Sequence, residues 1–347
     1  MSNAPATNFH LFSGGSAARV IYYHLKRGVI CLKAQSMKGS LILLLAALIW
    51  GTAFVAQKEG MNYIEPFTYN GVRSLLGGFV LLAALPGLDK LRARDGFFQK
   101  GDSRVILVGG LYCGVALFLS SNLQQFGIAL QAAETNVGKA GFITACYCAL
   151  VPVASLFFGK KPPALTWLGV AVAVVGFFFL CLMDGIDAGQ GLGLGISDLL
   201  LLLCAIGFTA HIMIIDRFSP LVDGVRLSCV QFLVCGVLCV PCMLIWEHPS
   251  LGAIWEGGLP IAYGGIMSCG VAYTLLIVGQ KGVHPAVASL LLSLESVFSV
   301  LAGYALMPGS ALSKWEILGC ALVFAAVVIV QLAPGGEKIS DNQKITP

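Results

Sequence analysis

From Gly39 onward the chain alternates between long apolar runs and short polar turns. A helix needs about 20 mostly apolar residues to cross the hydrocarbon core of a bilayer. Ten stretches are of that order: Gly39 to Ala56, Pro66 to Leu85, Arg104 to Gln124, Thr135 to Phe158, Ala164 to Leu182, Ile196 to Ile215, Val225 to Trp246, Leu259 to Val278, Pro285 to Met307 and Trp315 to Leu332. Membrane β-strands would instead read as about ten residues of strict alternation, a pattern the chain lacks. The expected fold class is an all-α integral membrane protein of ten transmembrane helices, with little chain left for a soluble domain.

The polar turns set an orientation, because Lys and Arg accumulate in cytoplasmic loops. With the N-terminus inside, the inner segments hold 17 Lys and Arg, from Arg19 to Lys344, against Lys58 and Lys314 outside. An even number of spans returns the C-terminus to the same side. Both termini are therefore expected in the cytoplasm, with the protein in the plasma (bacterial inner) membrane.

The halves resemble one another. Ile49, Thr52 and Ala53 recur as Ile206, Thr209 and Ala210; Gly78 recurs as Gly236; Leu168, Gly169 and Ala171 recur as Leu318, Gly319 and Ala321. These identities point to a duplicated five-span unit, residues 38–183 and 195–332. Five is odd, so the second copy enters the membrane upside down, and a substrate site is expected near the midplane between inverted repeats. The remaining segments are 1–37, expected to be a disordered cytoplasmic leader for which Met37 offers an alternative start, and 333–347, a cytoplasmic tail.

Composition agrees with a membrane protein and removes other classes. Hydrophobic residues make up 57% of the 347, charged residues 11%, and mean hydropathy is +0.87. The net charge of +4 sits in loops with no basic, aromatic-interleaved stripe, which argues against nucleic-acid binding. The 42 glycines suit close helix contacts and are also simply common in membrane helices. Most of the 12 cysteines lie in apolar runs, as small hydrophobes. Cys239-Val-Pro-Cys242 has dithiol spacing, but it lies in an apolar helix without the surroundings of a redox motif.

An ionisable residue within a span costs about 2.5–3.5 kcal/mol on insertion scales, so each one calls for a partner or a purpose. Arg73, Lys139 and Glu295 are such residues, and their sum of +1 leaves one cation without Glu295 as partner. They are expected to line a cavity between the halves and attract a carboxylate or other anion; the alternative is Arg73 pinned for packing by backbone carbonyls or by Glu295. Trp50, Asn70, Asn122, Gln125, Tyr147, Thr209, Gln231, Tyr273 and Ser289 add neutral polar groups to the same expected cavity. His211 and Glu295 are the candidates for proton coupling. There is no Walker A loop, Gly-x-Ser-x-Gly elbow or His-Glu-x-x-His pair, so the protein is expected not to be an enzyme and to need neither cofactor nor metal. An intramembrane enzyme acting on a lipid-linked substrate, and a channel, are the alternatives.

Four segments carry a family likeness: Leu-Ile-Trp50-Gly51-Thr-Ala-Phe in the first span, Pro66 to Arg73 opening the second, Gly138-Lys139-Ala-Gly141-Phe-Ile-Thr-Ala in the fourth and Ala288-Ser289-Leu-Leu-Leu-Ser-Leu-Glu295 in the ninth. From about Met37 to Leu332 the chain resembles the EamA-type branch of the drug/metabolite transporter superfamily. One departure is Ser296, where that pattern usually has proline after the glutamate. The resemblance implies an exporter or exchanger of small metabolites, amino acids or amphipathic drugs. Its expected partners are the bilayer and a small-molecule substrate, with monomer and homodimer both open. Alternating access would follow from the two halves rocking about the cavity.

Overall fold

The computed structural model describes residues 15–94, 101–131, 137–187, 195–281, 283–306 and 313–332. Residues 1–14 of the expected leader and the tail 333–347 lie outside the described residues. All regular structure among them is helical: α1 Gly15–Gly60, α2 Pro66–Arg94, α3 Ser103–Ala129, α4 Val137–Ala145, α5 Tyr147–Phe157, α6 Ala164–Cys181, α7 Met183–Asp187, α8 Ile196–Phe218, α9 Gly224–Cys242, α10 Leu251–Glu256, α11 Gly258–Ala262, α12 Tyr273–Gln280, α13 Pro285–Leu292, α14 Glu295–Leu306 and α15 Lys314–Gln331. Two π-helical stretches, Met243–Glu247 and Tyr263–Ala272, continue α9 and precede α12. Each follows a proline, Pro241 or Pro260, whose missing N–H interrupts the regular ladder.

Nine helical segments among the described residues are long and apolar enough to cross a bilayer, and the shorter apolar helix Ala164–Leu180 covers the remaining expected span. The leader departs from expectation: α1 begins at Gly15, well ahead of the apolar run. Residues 15–38 contain no proline and several good helix formers, so the membrane helix extends backward without a stop signal.

The packing units are not the sequence halves. α3 packs on α8 and α9, and α4–α5 pack on α8; α1 packs on the Tyr263–Ala272 stretch, α12, α13 and α14, and α2 packs on that same stretch. One bundle is thus α3, α4, α5, α8 and α9, and the other is α1, α2, the π stretch, α12, α13 and α14. The bundles meet where α2 crosses α9 and where α4–α5 cross α13–α14, while α6 and α15 pair beside them. The first two helices of each repeat pack into the other repeat's bundle.

Contacts between the bundles come in matched pairs. Gln125 Nε2 donates to the Gln57 carbonyl at 3.1 Å, and at the opposite end Gln280 Nε2 donates to the Ile212 carbonyl at 2.9 Å, an offset of 155 for both partners. Glu247 accepts from the backbone N–H groups of Phe67 and Thr68 at 2.7 and 2.6 Å, satisfying the open N-terminus of α2. At an offset of 158, Asp89 pairs with Arg226 at the N-terminus of α9. Between these ends Gly78 lies against Leu233 and Gly236 against Leu75, again at 158, and a Cβ at either glycine would come within 2.7 Å of the leucine. Antiparallel α2 and α9 therefore interlock knob against glycine, and the fold is an inverted helical repeat.

The fourth and ninth spans are both broken. Cys146 N–H bonds to the Ile143 carbonyl and Leu294 N–H to the Leu291 carbonyl, each a three-residue turn at 3.3 Å and 148 residues apart. The break in the ninth span exists without the proline whose absence left its geometry open. Ser296 instead sends its hydroxyl across to the Gly141 carbonyl at 2.8 Å. A Cβ at Gly141 would lie 2.8 Å from Ser299 Oγ and 3.4 Å from Ser296 Cα. Gly141→Val is accordingly expected to overpack this crossing by about 1–3 kcal/mol; thermal unfolding in detergent checks it, and an unchanged Tm contradicts the contact.

At the end that carries Arg226, His284 caps α13 by accepting from Ala286 N–H on Nδ1 at 3.2 Å. Burial pushes its imidazole below the ordinary value of 6.5, while Asp216 pulls upward and Lys160 downward. A depressed folded value means that the stabilisation is present above the unfolded value and is lost as pH falls through the folded one. The protein is expected to unfold at lower temperature near pH 5 than near pH 7.5. His284→Asn, which keeps a capping acceptor, is expected to narrow that difference, and an undiminished difference excludes His284 as its source.

Candidate functional site

A cavity of about 500 Å³, its mouth included, lies where the two bundles meet. α1 contributes Trp50, Phe54 and Gln57, α2 Arg73, α3 Gln124, α4 Thr144, α5 Tyr147 and α8 Phe208, His211 and Ile212. From the other side come Ser268, Tyr273, Leu276, Leu292 and Glu295. The helix breaks explain two of these. Tyr147 and Glu295 are the first residues after the matched turns, and the Tyr147 hydroxyl donates to Glu295 Oε1 at 3.0 Å. One hydrogen bond thus joins equivalent positions of the two repeats, across their pseudo-twofold axis. Broken helices facing the repeat interface are a recurrent way of building such sites.

The charges are arranged differently from the expectation of a trio. Lys139 is not among the lining residues; its ammonium pairs with Asp198 at 2.9 Å, at the start of α8. Asp198 is 5% exposed and also accepts from Gly195 N–H, so a fourth charged group neutralises the lysine. Arg73 and Glu295, 6% and 5% exposed, line the cavity without an ion pair to each other or to any other described residue. Among the described residues, Arg73 bonds neither a backbone carbonyl nor Glu295. Its Nε donates to Asn70 Oδ1 at 2.9 Å, and its guanidinium carbon stands 5.1 Å from the Tyr69 ring centre. Among the described residues the lining carries one arginine and one glutamate.

Aromatic groups form much of the wall between them. Trp50 meets Tyr273 edge-on at 4.6 Å between ring centres, and Phe232 backs the same Tyr273 at 5.0 Å. The Trp50 indole N–H and Gln57 Oε1 are buried without a partner, two polar atoms available to a bound molecule. His211, 1% exposed, shares a 3.0 Å hydrogen bond between its Nε2 and Gln231 Oε1, which orients the ring.

Of the residues singled out from sequence, Trp50, Arg73, Tyr147, His211, Tyr273 and Glu295 come together in the lining. Asn70 and Asn122 stand behind Arg73, and Gln231 behind His211. Gln125 bridges the bundles, Thr209 bonds its own helix at the Ala205 carbonyl, and Ser289 bonds the Ala286 carbonyl. Sequence reasoning missed Phe54, Phe208, Gln57, Gln124, Thr144 and Ser268. The amides and hydroxyls among them were visible as polar groups in apolar runs; the phenylalanines carried no such signal.

Two stretches, residues 37–182 and 195–332, match the EamA-like transporter family. The chain is 30% identical over 295 residues to the "Uncharacterized transporter" of Archaeoglobus fulgidus, covering 84% of each. It is 29% identical over 295 residues to the "Uncharacterized inner membrane transporter YedA" of Escherichia coli, covering 82% of this chain and 88% of that protein. A further relative, the "Uncharacterized transporter YwfM" of Bacillus subtilis, is 25% identical over 311 residues, covering 88% and 98%. One solved crystal structure superposes with a TM-score of 0.66 at 21% identity, over 84% of this chain and 96% of that one, a likeness of fold.

Proposed function

The chain belongs to the EamA-like transporter family and is a multi-pass membrane transporter of a small molecule; on that premise we propose that its substrate is an amphipathic zwitterion, of which an apolar α-amino acid is the simplest. The observation that carries this reading is the coexistence, in one cavity, of an unpaired guanidinium and an unpaired carboxylate with aromatic walls between. A carboxylate would take the Nη groups of Arg73, an ammonium would take Glu295, and the apolar body would lie against Trp50, Phe54 and Tyr273. Both charges would otherwise stay desolvated at a cost that a bound zwitterion offsets.

Transport would proceed by alternating access, with the two mixed bundles rather than the sequence halves as moving bodies. The contacts at the Glu247 end would close one face and those at the Arg226 end the other. The Arg226 end, rich in Lys and Arg, is assigned to the cytoplasm together with both termini, and the membrane to the bacterial inner membrane, in line with the name of the Escherichia coli relative. Export or exchange is the assigned mode. Counterflow in proteoliposomes tests the substrate class: L-phenylalanine is expected to exchange saturably, phenethylamine and 3-phenylpropionate, each lacking one charge, at least about tenfold less well. Equal exchange of all three would set the zwitterion reading aside.

A further inference from the structure

Arg73 is held from behind by a relay that crosses between the bundles. Asn70, fully buried on α2, accepts from Arg73 Nε on Oδ1 at 2.9 Å. Its Nδ2 donates to the Ser121 carbonyl at 2.9 Å and to Asn122 Oδ1 at 3.0 Å, both on α3 of the other bundle. Asn122 in turn donates to the Phe118 carbonyl at 2.7 Å and to Cys239 Sγ at 3.5 Å on α9. The orientation of the Asn70 amide is unambiguous: flipped, its nitrogen would face the Nε–H donor and its oxygen two acceptors. The guanidinium plane is therefore set by an amide whose other end is anchored to the opposite bundle, leaving the Nη groups for the cavity.

The second repeat has no such relay. At the offset of 158, Asn70 and Arg73 correspond to Ser228 and Gln231. Ser228 Oγ is buried without a partner, and Gln231 bonds His211. A cavity-lining charge held through an amide anchored on the other bundle is thus a feature of the first repeat alone among the described residues.

We propose that Asn70 is a positioning residue for the anion site: through Nε it holds Arg73 in reach of a carboxylate, and through Nδ2 it transmits that contact to α3, so that occupancy of the cavity is felt where the bundles meet. The proposal rests on Arg73 being the carboxylate site. The experiment is a double-mutant cycle of Asn70→Ala and Arg73→Lys, read by L-phenylalanine counterflow; lysine keeps the charge but has no Nε–H for Asn70 to hold. In the wild-type background Asn70→Ala is expected to raise the half-saturating concentration about tenfold, the scale of one hydrogen bond to a charged group, with a smaller change in maximal exchange. In the Arg73→Lys background the same change is expected to stay below about twofold. Equal factors in both backgrounds would mean that Asn70 merely braces α2 against α3, and would overturn the proposal. Thermal unfolding of the same four proteins in detergent decides independently of substrate. Non-additive losses in Tm support the Asn70–Arg73 coupling and additive losses overturn it. Wild-type protein that carries no L-phenylalanine would instead refute the carboxylate site itself.

Discussion

Arg73→Ala is expected to lower L-phenylalanine exchange about a hundredfold or more, the largest effect of any single substitution in the protein. The reason is twofold. A substrate carboxylate would lose a charge-assisted, two-pronged partner, worth about 2–5 kcal/mol when buried, and the cavity would keep Glu295 as an uncompensated buried charge. Arg73→Lys should recover part of the loss, because a point charge replaces the attraction but not the planar fork. Glu295→Gln should act on the opposite end of the substrate: it weakens L-phenylalanine exchange, but leaves 3-phenylpropionate, which has no ammonium, within about twofold of wild type. The signature is therefore a crossover between two analogues. If Arg73→Ala and Glu295→Gln depress every compound alike, the two groups support the fold and do not read the substrate.

The second large effect concerns the matched contacts at the two ends. Replacing Gln125 by Leu together with Glu247 by Gln removes the amide bridge to Gln57 and the carboxylate at the N-terminus of α2. Replacing Gln280 by Leu together with Asp89 by Asn removes the equivalent bridge to Ile212 and the ion pair that ties Arg226 to α2, leaving its contact with Asp223. Each pair should cost its own end about 2–3 kcal/mol, which under the proposed alternating access shifts the balance between outward-open and inward-open forms by roughly 30-fold or more. Hydrogen exchange in nanodiscs reads this directly. The first double variant should speed exchange at amides near residues 57–68 and 125–131, and the second near 212–226 and 276–281. Faster exchange at both ends in either variant would mean general loosening instead of one gate released.

The chemistry of individual runs was readable without a fold. Ten apolar stretches, the segregation of Lys and Arg, and intramembrane Arg73 and Glu295 follow from what a bilayer tolerates, which acts on each segment separately. So did the paired identities, such as Gly78 with Gly236, whose reason the fold supplies: each glycine receives a leucine from the other repeat's second helix. Lys139 was read less well. Its partner Asp198 lies 59 residues away, and no local pattern announces a pair made by two helix ends meeting in space. Ser289 was read as cavity because it is polar in an apolar run, whereas its hydroxyl turns back to its own helix. Phe54 and Phe208 were passed over because an aromatic facing a cavity has the same sequence signature as one facing lipid or core.

What the sequence by itself determined is membrane residence, the number of apolar stretches, the duplicated unit and the presence of three intramembrane charges, Arg73, Lys139 and Glu295. These depend on the transfer energies of short segments, which are nearly independent of neighbours. The tertiary structure alone decided which charge is neutralised, that Tyr147 meets Glu295 across equivalent helix breaks, that Asn70 holds Arg73, and that the compact bodies mix helices from both repeats. Asn70 sits one turn from Arg73, but its anchor on α3 and the Lys139–Asp198 and Tyr147–Glu295 pairs join residues 51, 59 and 148 apart in sequence, settled by how helix surfaces fit and by which buried donors can reach acceptors.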